Sequence, residues 1–324
     1  MKTTDEIKGL IKPELDSFNK EFHRALKTDI KLLNLITSYM LRRKGKQLRP
    51  VLVFLSAKLI AATNESTRAA AILIEILHTA TLVHDDVVDD AYERRGFLSI
   101  NALWKSKLAV LLGDFMFAKG FLLTLEKKEF NLLEIFSEAV KEMSEGEILQ
   151  IQKTRKLNIT EDEYFDIVKK KTATLIAACT ASGASSVTND QSIVAKMKEF
   201  GLNLGVAFQI KDDLFDYEKS SIIGKPKGND IKEKKLTLPL IHSLEQAPIS
   251  ERRKMLKLIN KNSSKTSTYN TIFKFVHKYD GQSYAYEKMM TYKNKALLML
   301  ESFPVSDIRV GLEKLVEYIV SRKK

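Results

Sequence analysis

The stretch Leu132-Leu133-Glu134-Ile135-Phe136-Ser137-Glu138-Ala139-Val140-Lys141-Glu142-Met143 decides the fold class. Its apolar residues return after three or four positions, the period of one helix face. Val194, Met197, Phe200, Gly201, Leu204 and Phe208 repeat the pattern. Strict period-two alternation is missing over any useful length, so nearly the whole chain reads as helices of one to several turns. Composition agrees. The 324 residues hold 13 Gly and 6 Pro, roughly half the usual shares, and barrels or sandwiches need more turn residues than that. With 44% hydrophobic residues the chain has a core and is not disordered as a whole.

The helices are punctuated briefly. Pro13 and Pro50 sit near helix starts, where proline is tolerated. Thr160 with Glu163 reads as an N-cap pair, and Arg94-Arg95-Gly96 reads as the close of a helix. Residues 185–190, 220–235 and 261–268 are polar connectors. None is a flexible interdomain linker and no fixed-period repeat is present, so residues 1–324 read as one domain. The apolar stretches 51–62 and 69–83 are broken by Lys58, and by Glu75 and His78, short of the ~20 apolar residues of a spanning helix. The single cysteine, Cys179, excludes an internal disulfide and fits a cytoplasmic protein. There are 53 Lys and Arg against 41 Asp and Glu, a net charge of +12. That balance points to an anionic partner such as nucleic acid, a membrane surface or a polyphosphate.

A D-D-x-x-D pattern occurs twice, as Asp85-Asp86-Val87-Val88-Asp89 and Asp212-Asp213-Leu214-Phe215-Asp216. With 17 aspartates in the chain, random placement gives about 0.05 such matches. On a helix the first and third carboxylates of each cluster share a face. Such carboxylates repel without a counter-ion. Oxygen-only ligands favour Mg²⁺ or Ca²⁺ over zinc, and Mg²⁺ in particular is completed by substrate phosphate oxygens. Two such clusters suit a diphosphate held by several Mg²⁺ ions. Arg94 and Arg95 follow the first cluster, and Lys46 and Arg49 stand before a helix; Arg forks bind phosphate bidentately. His78 lies two helical turns before Asp85, on nearly the same face.

These motifs resemble those of the trans-isoprenyl diphosphate synthases. The first aspartate-rich region of that family is matched by Ile74-Glu75-Ile76-Leu77-His78-Thr79-Ala80-Thr81-Leu82-Val83-His84-Asp85-Asp86-Val87-Val88-Asp89-Asp90, running on to Arg94-Arg95-Gly96. The second is matched by Phe208-Gln209-Ile210-Lys211-Asp212-Asp213-Leu214-Phe215-Asp216-Tyr217. Gly45-Lys46-Gln47-Leu48-Arg49-Pro50, Leu111-Leu112-Gly113-Asp114, Gly146-Glu147-Ile148-Leu149-Gln150, Lys171-Thr172-Ala173 and Gly224-Lys225-Pro226-Lys227-Gly228-Asn229-Asp230 follow in the family's order. Lys44, Gln47, Phe215 and Lys234 depart from the family pattern.

The resemblance implies an all-α antiparallel helical bundle around a deep central cavity, in a homodimer. It implies Mg²⁺-dependent head-to-tail condensation of an allylic diphosphate with isopentenyl diphosphate, with about three Mg²⁺ per site. Departure of diphosphate leaves an allylic carbocation, the isopentenyl double bond attacks it, and a proton passes to the released diphosphate. By the same resemblance Asp85, Asp89 and Asp212 ligate the metal, with Asp86, Asp213 and Asp216 in support and Asp216 also a candidate ligand. Arg94, Lys171, Thr172, Gln209, Lys225 and Lys235 hold the allylic substrate. Lys46, Arg49, His78 and Arg95 hold isopentenyl diphosphate. Asp85, Asp86, Asp89, Arg94, Lys171, Asp212, Asp213 and Lys225 form the implied catalytic set.

Product length depends on what stands below the first cluster. Thr81 lies one turn, ~5.4 Å, below Asp85, next to Ala80. Both are small where short-chain members carry aromatics, so the expected product is long, about six to eight isoprene units, with a floor further down at Phe115, Phe117 or Phe121. The alternatives are a short-chain synthase making a farnesyl or geranylgeranyl product, a non-catalytic subunit of a heteromeric synthase, a terpene cyclase and a nucleic-acid-binding protein. All six aspartates are intact, which weighs against the subunit and cyclase readings. No nucleic-acid motif is present. The excess positive charge is then assigned to surface runs such as 169–171, 232–235 and 322–324, where weak attraction to an anionic membrane is one use.

Overall fold

The computed structural model describes residues 2–42, 47–94, 97–217, 235–262 and 266–322. The chain folds into two compact units. The first comprises Met1–Val140, Leu175–Lys198 and Phe303–Leu315; the second comprises Lys141–Thr174, Glu199–Ser302 and Val316–Lys324. The all-α expectation holds: among the described residues the only sheet is a two-stranded ribbon.

The first unit opens with α1 (Lys2–Gly9), α2 (Lys12–Ala25), α3 (Lys31–Leu41), α4 (Leu48–Ile60) and α5 (Glu65–Val88). Pro13 and Pro50 fall in the first turns of α2 and α4, as expected. Helix α5 starts on a capping box in which Asn64 accepts from the Thr67 N–H at 2.9 Å and Thr67 accepts from the Asn64 N–H at 3.2 Å. Its apolar residues from Ala69 to Leu77 are all at or below 3% exposure. Phe18, Phe54 and Leu55 are equally buried in this unit, each worth about 1.5–3 kcal/mol when removed from water.

Past α5 come β1 (Glu93–Arg94) and β2 (Phe97–Leu98), paired antiparallel with Arg94 opposite Phe97. This corrects the expectation from sequence: Arg94 lies in a ribbon rather than at a helix close, and two-residue strands are too short to leave a period-two signature. Next are α6 (Ile100–Glu126) and α7 (Phe130–Lys156). Helix α6 runs antiparallel to α5 at close range. A Cβ at Gly113 would stand 2.1 Å from His84 Nε2, and one at Gly120 would stand 3.1 Å from Leu73 Cδ1. Helix α6, rather than the stretches 51–62 and 69–83, is apolar and long enough to cross a membrane by length and composition alone. Its inner face packs on α5, while Val110, Leu111, Leu122 and Leu125 face outward.

The second unit takes the rest of α7, then α8 (Glu161–Val168), a π-helical turn Lys169–Ala173 and α9 (Thr174–Ser185), most of which lies in the first unit. Thr160 and Glu163 form the expected capping box on α8. Helix α10 (Gln191–Phe215) ends on the second aspartate cluster. Then come α11 (Leu238–Gln246), α12 (Ile249–Asn262), α13 (Thr266–Lys278), α14 (Gly281–Glu301) and α15 (Asp307–Ser321). Residues 261–268, expected as a loop, are helical at both ends. Tyr164, Ala207, Ile210, Leu238, Ile241 and Met289 form one core cluster here, and Tyr217, Leu240, Ile259, Ile272 and Val276 another.

Candidate active site

In the second unit the site is built around the π-helical turn. Such turns widen a helix locally and re-aim its side chains. This one, carrying Lys171 and Thr172, is wedged between two glycines. A Cβ on Gly146 of α7 would lie 2.8 Å from Lys171 N, and one on Gly205 of α10 would lie 2.4 Å from Ala173 Cα. Only glycine admits backbones this close. The approach lets Lys171 reach α7, where its ammonium pairs with Glu147 and donates to Gln150 Oε1 at 2.5 Å. It also lets Thr172 donate to Gln209 Oε1 on α10 at 2.9 Å.

Gln209 continues the relay, donating from Nε2 to Asp213 Oδ1 at 3.0 Å. Asp213 is 3% exposed. Its other oxygen accepts from Tyr164 O–H at 2.7 Å and from the Leu238 N–H at 3.4 Å. A buried carboxylate held by three donors is satisfied in place. Asp213 therefore orients Gln209 and, through it, Thr172. The same residues border a cavity of about 210 Å³ lined by Lys153, Lys171, Lys235, Gln150, Thr172 and Gln209, with Ile159, Ile167 and Leu236 on its apolar side. Lys153 pairs with Glu163 as Lys171 does with Glu147, so the cavity sets held lysine–carboxylate pairs beside an apolar wall, an arrangement that suits a polar head group with a hydrocarbon tail.

Asp212, next to Asp213, keeps 39% side-chain exposure and faces Arg322, whose Nη2 donates to Oδ1 at 2.6 Å. Burial pulls the Arg322 guanidinium below its ordinary pKa, and Asp212 offsets part of that fall. Arg322 is thus withdrawn from the surface charge of the run 322–324, a correction to its expected place. Asp216 is buried; its carbonyl accepts from Tyr269 O–H at 2.7 Å, and the adjacent Tyr217 carbonyl accepts from Gln282 at 2.6 Å. These bonds fix the turn that ends α10.

In the first unit, α5 carries the other cluster to a Schellman close. The Asp90 N–H donates to Val87 O at 3.3 Å and the Ala91 N–H to Asp86 O at 2.9 Å. Asp90 takes the left-handed position, φ 48°, usually glycine's. Asn101 of α6 braces this turn, donating to Asp86 O at 3.3 Å. Asp86 is buried, Asp85 half-buried and Asp89 exposed. The Asp89 N–H bonds Asp85 O at 2.8 Å, so the two remain in helical register. His78 is buried on the same helix and Ala80 wholly so, while Thr81 donates to His78 O at 2.9 Å. Phe117 lies 5.7 Å from the His84 ring and 6.4 Å from Phe136, with Phe121 5.4 Å from Phe136. Phe115 is half-buried beneath the Lys119 ammonium.

Arg49 is the second residue of α4. Lys46, Arg95 and Lys225 lie outside the described residues, as does the Arg94 side chain. The structure adds Tyr164, Gln150, Lys153 and Arg322 to the residues singled out from sequence. Only Gln150 stands in a quoted motif; the other three reach the site through tertiary packing.

The carboxylates that remain reachable, Asp85, Asp89 and Asp212, are hard oxygen donors, and Asp212 already holds a cation in Arg322. Asp85 and Asp89 in the first unit, and Asp212 in the second, are each oxygen donors of the kind that suits a divalent ion such as Mg²⁺. Residues 30–276 match the polyprenyl synthetase family. The chain belongs to that family and is a trans-polyprenyl diphosphate synthase, an enzyme of head-to-tail prenyl condensation. It is 37% identical over 288 residues to solanesyl-diphosphate synthase 2, chloroplastic, of Oryza sativa subsp. japonica, covering 86% of this chain and 70% of that one. It is 30% identical to geranylgeranyl diphosphate synthase of Saccharolobus solfataricus, over 99% of this chain and 100% of the relative. Among solved structures, a polyprenyl synthase from Caulobacter crescentus CB15, complexed with calcium and isoprenyl diphosphate, aligns at TM-score 0.91 and 31% identity over 99% of this chain and 98% of that one.

Proposed function

We propose that this enzyme makes a long-chain product, about six to eight isoprene units, in a Mg²⁺-dependent reaction of an allylic diphosphate with isopentenyl diphosphate. The observation carrying the chain length is the pair Ala80 and Thr81 below Asp85, where no side chain is larger than threonine. Phe117 and Phe121, grouped around the buried Phe136, are the proposed floor, with Phe115 a further candidate.

Lys171, Thr172, Gln209, Lys225, Lys235 and Arg94 hold the allylic diphosphate; Lys46, Arg49, His78 and Arg95 hold isopentenyl diphosphate. Lys171 is fixed by Glu147 and Gln150, so its charge is in place before substrate arrives, which is where fixed donors gain most. Lys235 adds a second ammonium on the same cavity. Gln209 and Thr172 are held in line by Asp213, while Ile159, Ile167 and Leu236 exclude water beside the reacting end. Asp85, Asp89 and Asp212 are the proposed ligands for about three Mg²⁺, with Asp86 and Asp213 orienting them and Asp216, buried past the end of α10, in support. Bound Mg²⁺ supplies Lewis-acid stabilisation of the leaving diphosphate.

The chain acts as a single catalytic domain in a cytoplasmic homodimer, and the outward apolar row of α6 supports the dimer. The excess charge gives weak attraction to anionic membranes. The test is condensation with Mg²⁺, farnesyl diphosphate and isopentenyl diphosphate, with products separated by length. Wild type is expected to reach about C30 to C40, and Thr81→Phe to stop short of C30. Thr81 is only half-buried, so this variant spares the fold better than Ala80→Phe. Arrest of the wild type at C20 would establish the geranylgeranyl alternative; with dimethylallyl diphosphate as a second starter, arrest at C15 would establish the farnesyl one, and no condensation from either starter the non-catalytic one.

A further inference from the structure

Arg322 stands one residue past α15, yet its side chain is only 14% exposed. Its Nη2 reaches the Phe208 carbonyl at 3.3 Å as well as Asp212. The guanidinium carbon lies 3.9 Å from the Phe208 ring centre and 5.5 Å from that of Phe215. Lys211 places a second cation 4.7 Å over Phe215. Aromatic faces, a backbone carbonyl and a carboxylate thus form a seat for a planar cation. Phe215, bulkier than the aliphatic residue expected there, supplies part of it. The seat lies on the same last turns of α10 that carry Asp212, Asp213 and Asp216, carboxylates that repel one another without a counter-charge.

We propose that Arg322 is the resident counter-cation of Asp212 and controls metal loading there: a divalent ion takes Asp212 only as the guanidinium leaves it. The inference rests on the reading of Asp212 as a metal ligand. Its physical basis is that a dication and a guanidinium sharing one carboxylate at about 4 Å repel strongly even at protein-surface dielectric. Arg322 therefore holds the carboxylate in place before loading and weakens the metal affinity at that position.

The test is Mn²⁺ binding to the full chain in the presence of inorganic diphosphate, followed by the electron paramagnetic resonance signal of free Mn²⁺. Wild type, Arg322→Met, Arg322→Lys and Asp212→Asn are compared. Arg322→Met is expected to bind Mn²⁺ about tenfold more tightly, the order expected for loss of one charge-assisted bond. Arg322→Lys should fall between it and wild type. Without metal, Arg322→Met should melt lower than wild type, and saturating Mn²⁺ with diphosphate should narrow that gap. Equal or weaker Mn²⁺ affinity in a folded Arg322→Met overturns the proposal. Should that variant not fold, Phe208→Leu keeps the charge but removes the ring beneath it, and about two- to threefold tighter binding is expected; no change overturns the proposal equally. Mn²⁺ binding that Asp212→Asn leaves unaltered defeats the metal-ligand reading itself, a separate failure from that of Arg322.

Discussion

Tyr164→Phe removes one hydroxyl and leaves the ring that packs 5.3 Å from Phe165. The lost bond is the 2.7 Å O–H···Oδ2 contact to Asp213, between residues 5% and 3% exposed. A hydrogen bond to a buried charge contributes about 1.5–3 kcal/mol, and the long Leu238 N–H contact replaces little of it. A chain of this size shifts about 1.5 °C per kcal/mol, so the melting temperature should fall by about 2–5 °C. The functional effect travels through Gln209. With Asp213 less fixed, Gln209 and Thr172 lose their alignment, and KM for the allylic diphosphate should rise about three- to tenfold while kcat changes less. Calorimetry and steady-state kinetics read both effects. The decisive control is a double-mutant cycle with Asp213→Asn. If Tyr164→Phe costs as much on the Asp213→Asn background as on wild type, the hydroxyl acts by packing alone and the relay from Tyr164 to Thr172 is refuted.

Gly205→Ala places a methyl 2.4 Å from Ala173 Cα; backbone must move, at about 1–3 kcal/mol, and allylic diphosphate affinity measured by calorimetry should fall more than tenfold even where circular dichroism stays wild-type. Lys105 sits inside α6 at φ 67°, ψ 162°, a region nearly restricted to glycine and costing about 1–3 kcal/mol. Lys105→Gly should therefore raise the melting temperature by about 1–3 °C, and a lower value would contradict the strain. Burial pushes the Cys179 thiol up to about 12, whereas an unfolded thiol titrates near about 8.5. Between those values the folded chain keeps a proton that the unfolded chain loses, so stability declines as pH rises, by about 1.4 kcal/mol per unit. Cys179→Ala should show a shallower fall in melting temperature than wild type from about pH 9 to 11, and parallel curves would defeat the assignment.

The helices are legible in the sequence because their signals are local. The 3.6-residue period, the Thr160–Glu163 capping pair and the early prolines each depend on neighbours a few positions away. The ribbon at Glu93–Arg94 and Phe97–Leu98 is not legible, since two residues per strand cannot show a period. Nor is the role of Gly146 and Gly205, which depends on Lys171 N and Ala173 Cα, 25 and 32 residues off in sequence. Arg322 misleads for the same reason. In sequence it heads the cationic run 322–324; in space α15 delivers it to the end of α10, 110 residues away.

The two D-D-x-x-D motifs show the limit most directly, because identical letters receive different environments. The middle carboxylate of each, Asp86 and Asp213, is 3% exposed, as expected where a helix turns its second aspartate inward. The first of each, Asp85 and Asp212, stays partly open, since it lies on a different face of the helix from its buried neighbour. The third positions diverge. Asp89 caps α5 in helical register and is exposed; Asp216 lies beyond the end of α10, its N–H bonded to Asp213 O at 3.3 Å, and is 7% exposed beneath Tyr269. Asp89→Asn should then leave stability nearly unchanged, because an exposed carboxylate loses only a screened interaction. Asp216→Asn should lower the melting temperature by several degrees, because a buried group must keep its partners. Equal effects at the two sites would mean that the repeat in sequence is also a repeat in environment, against the geometry.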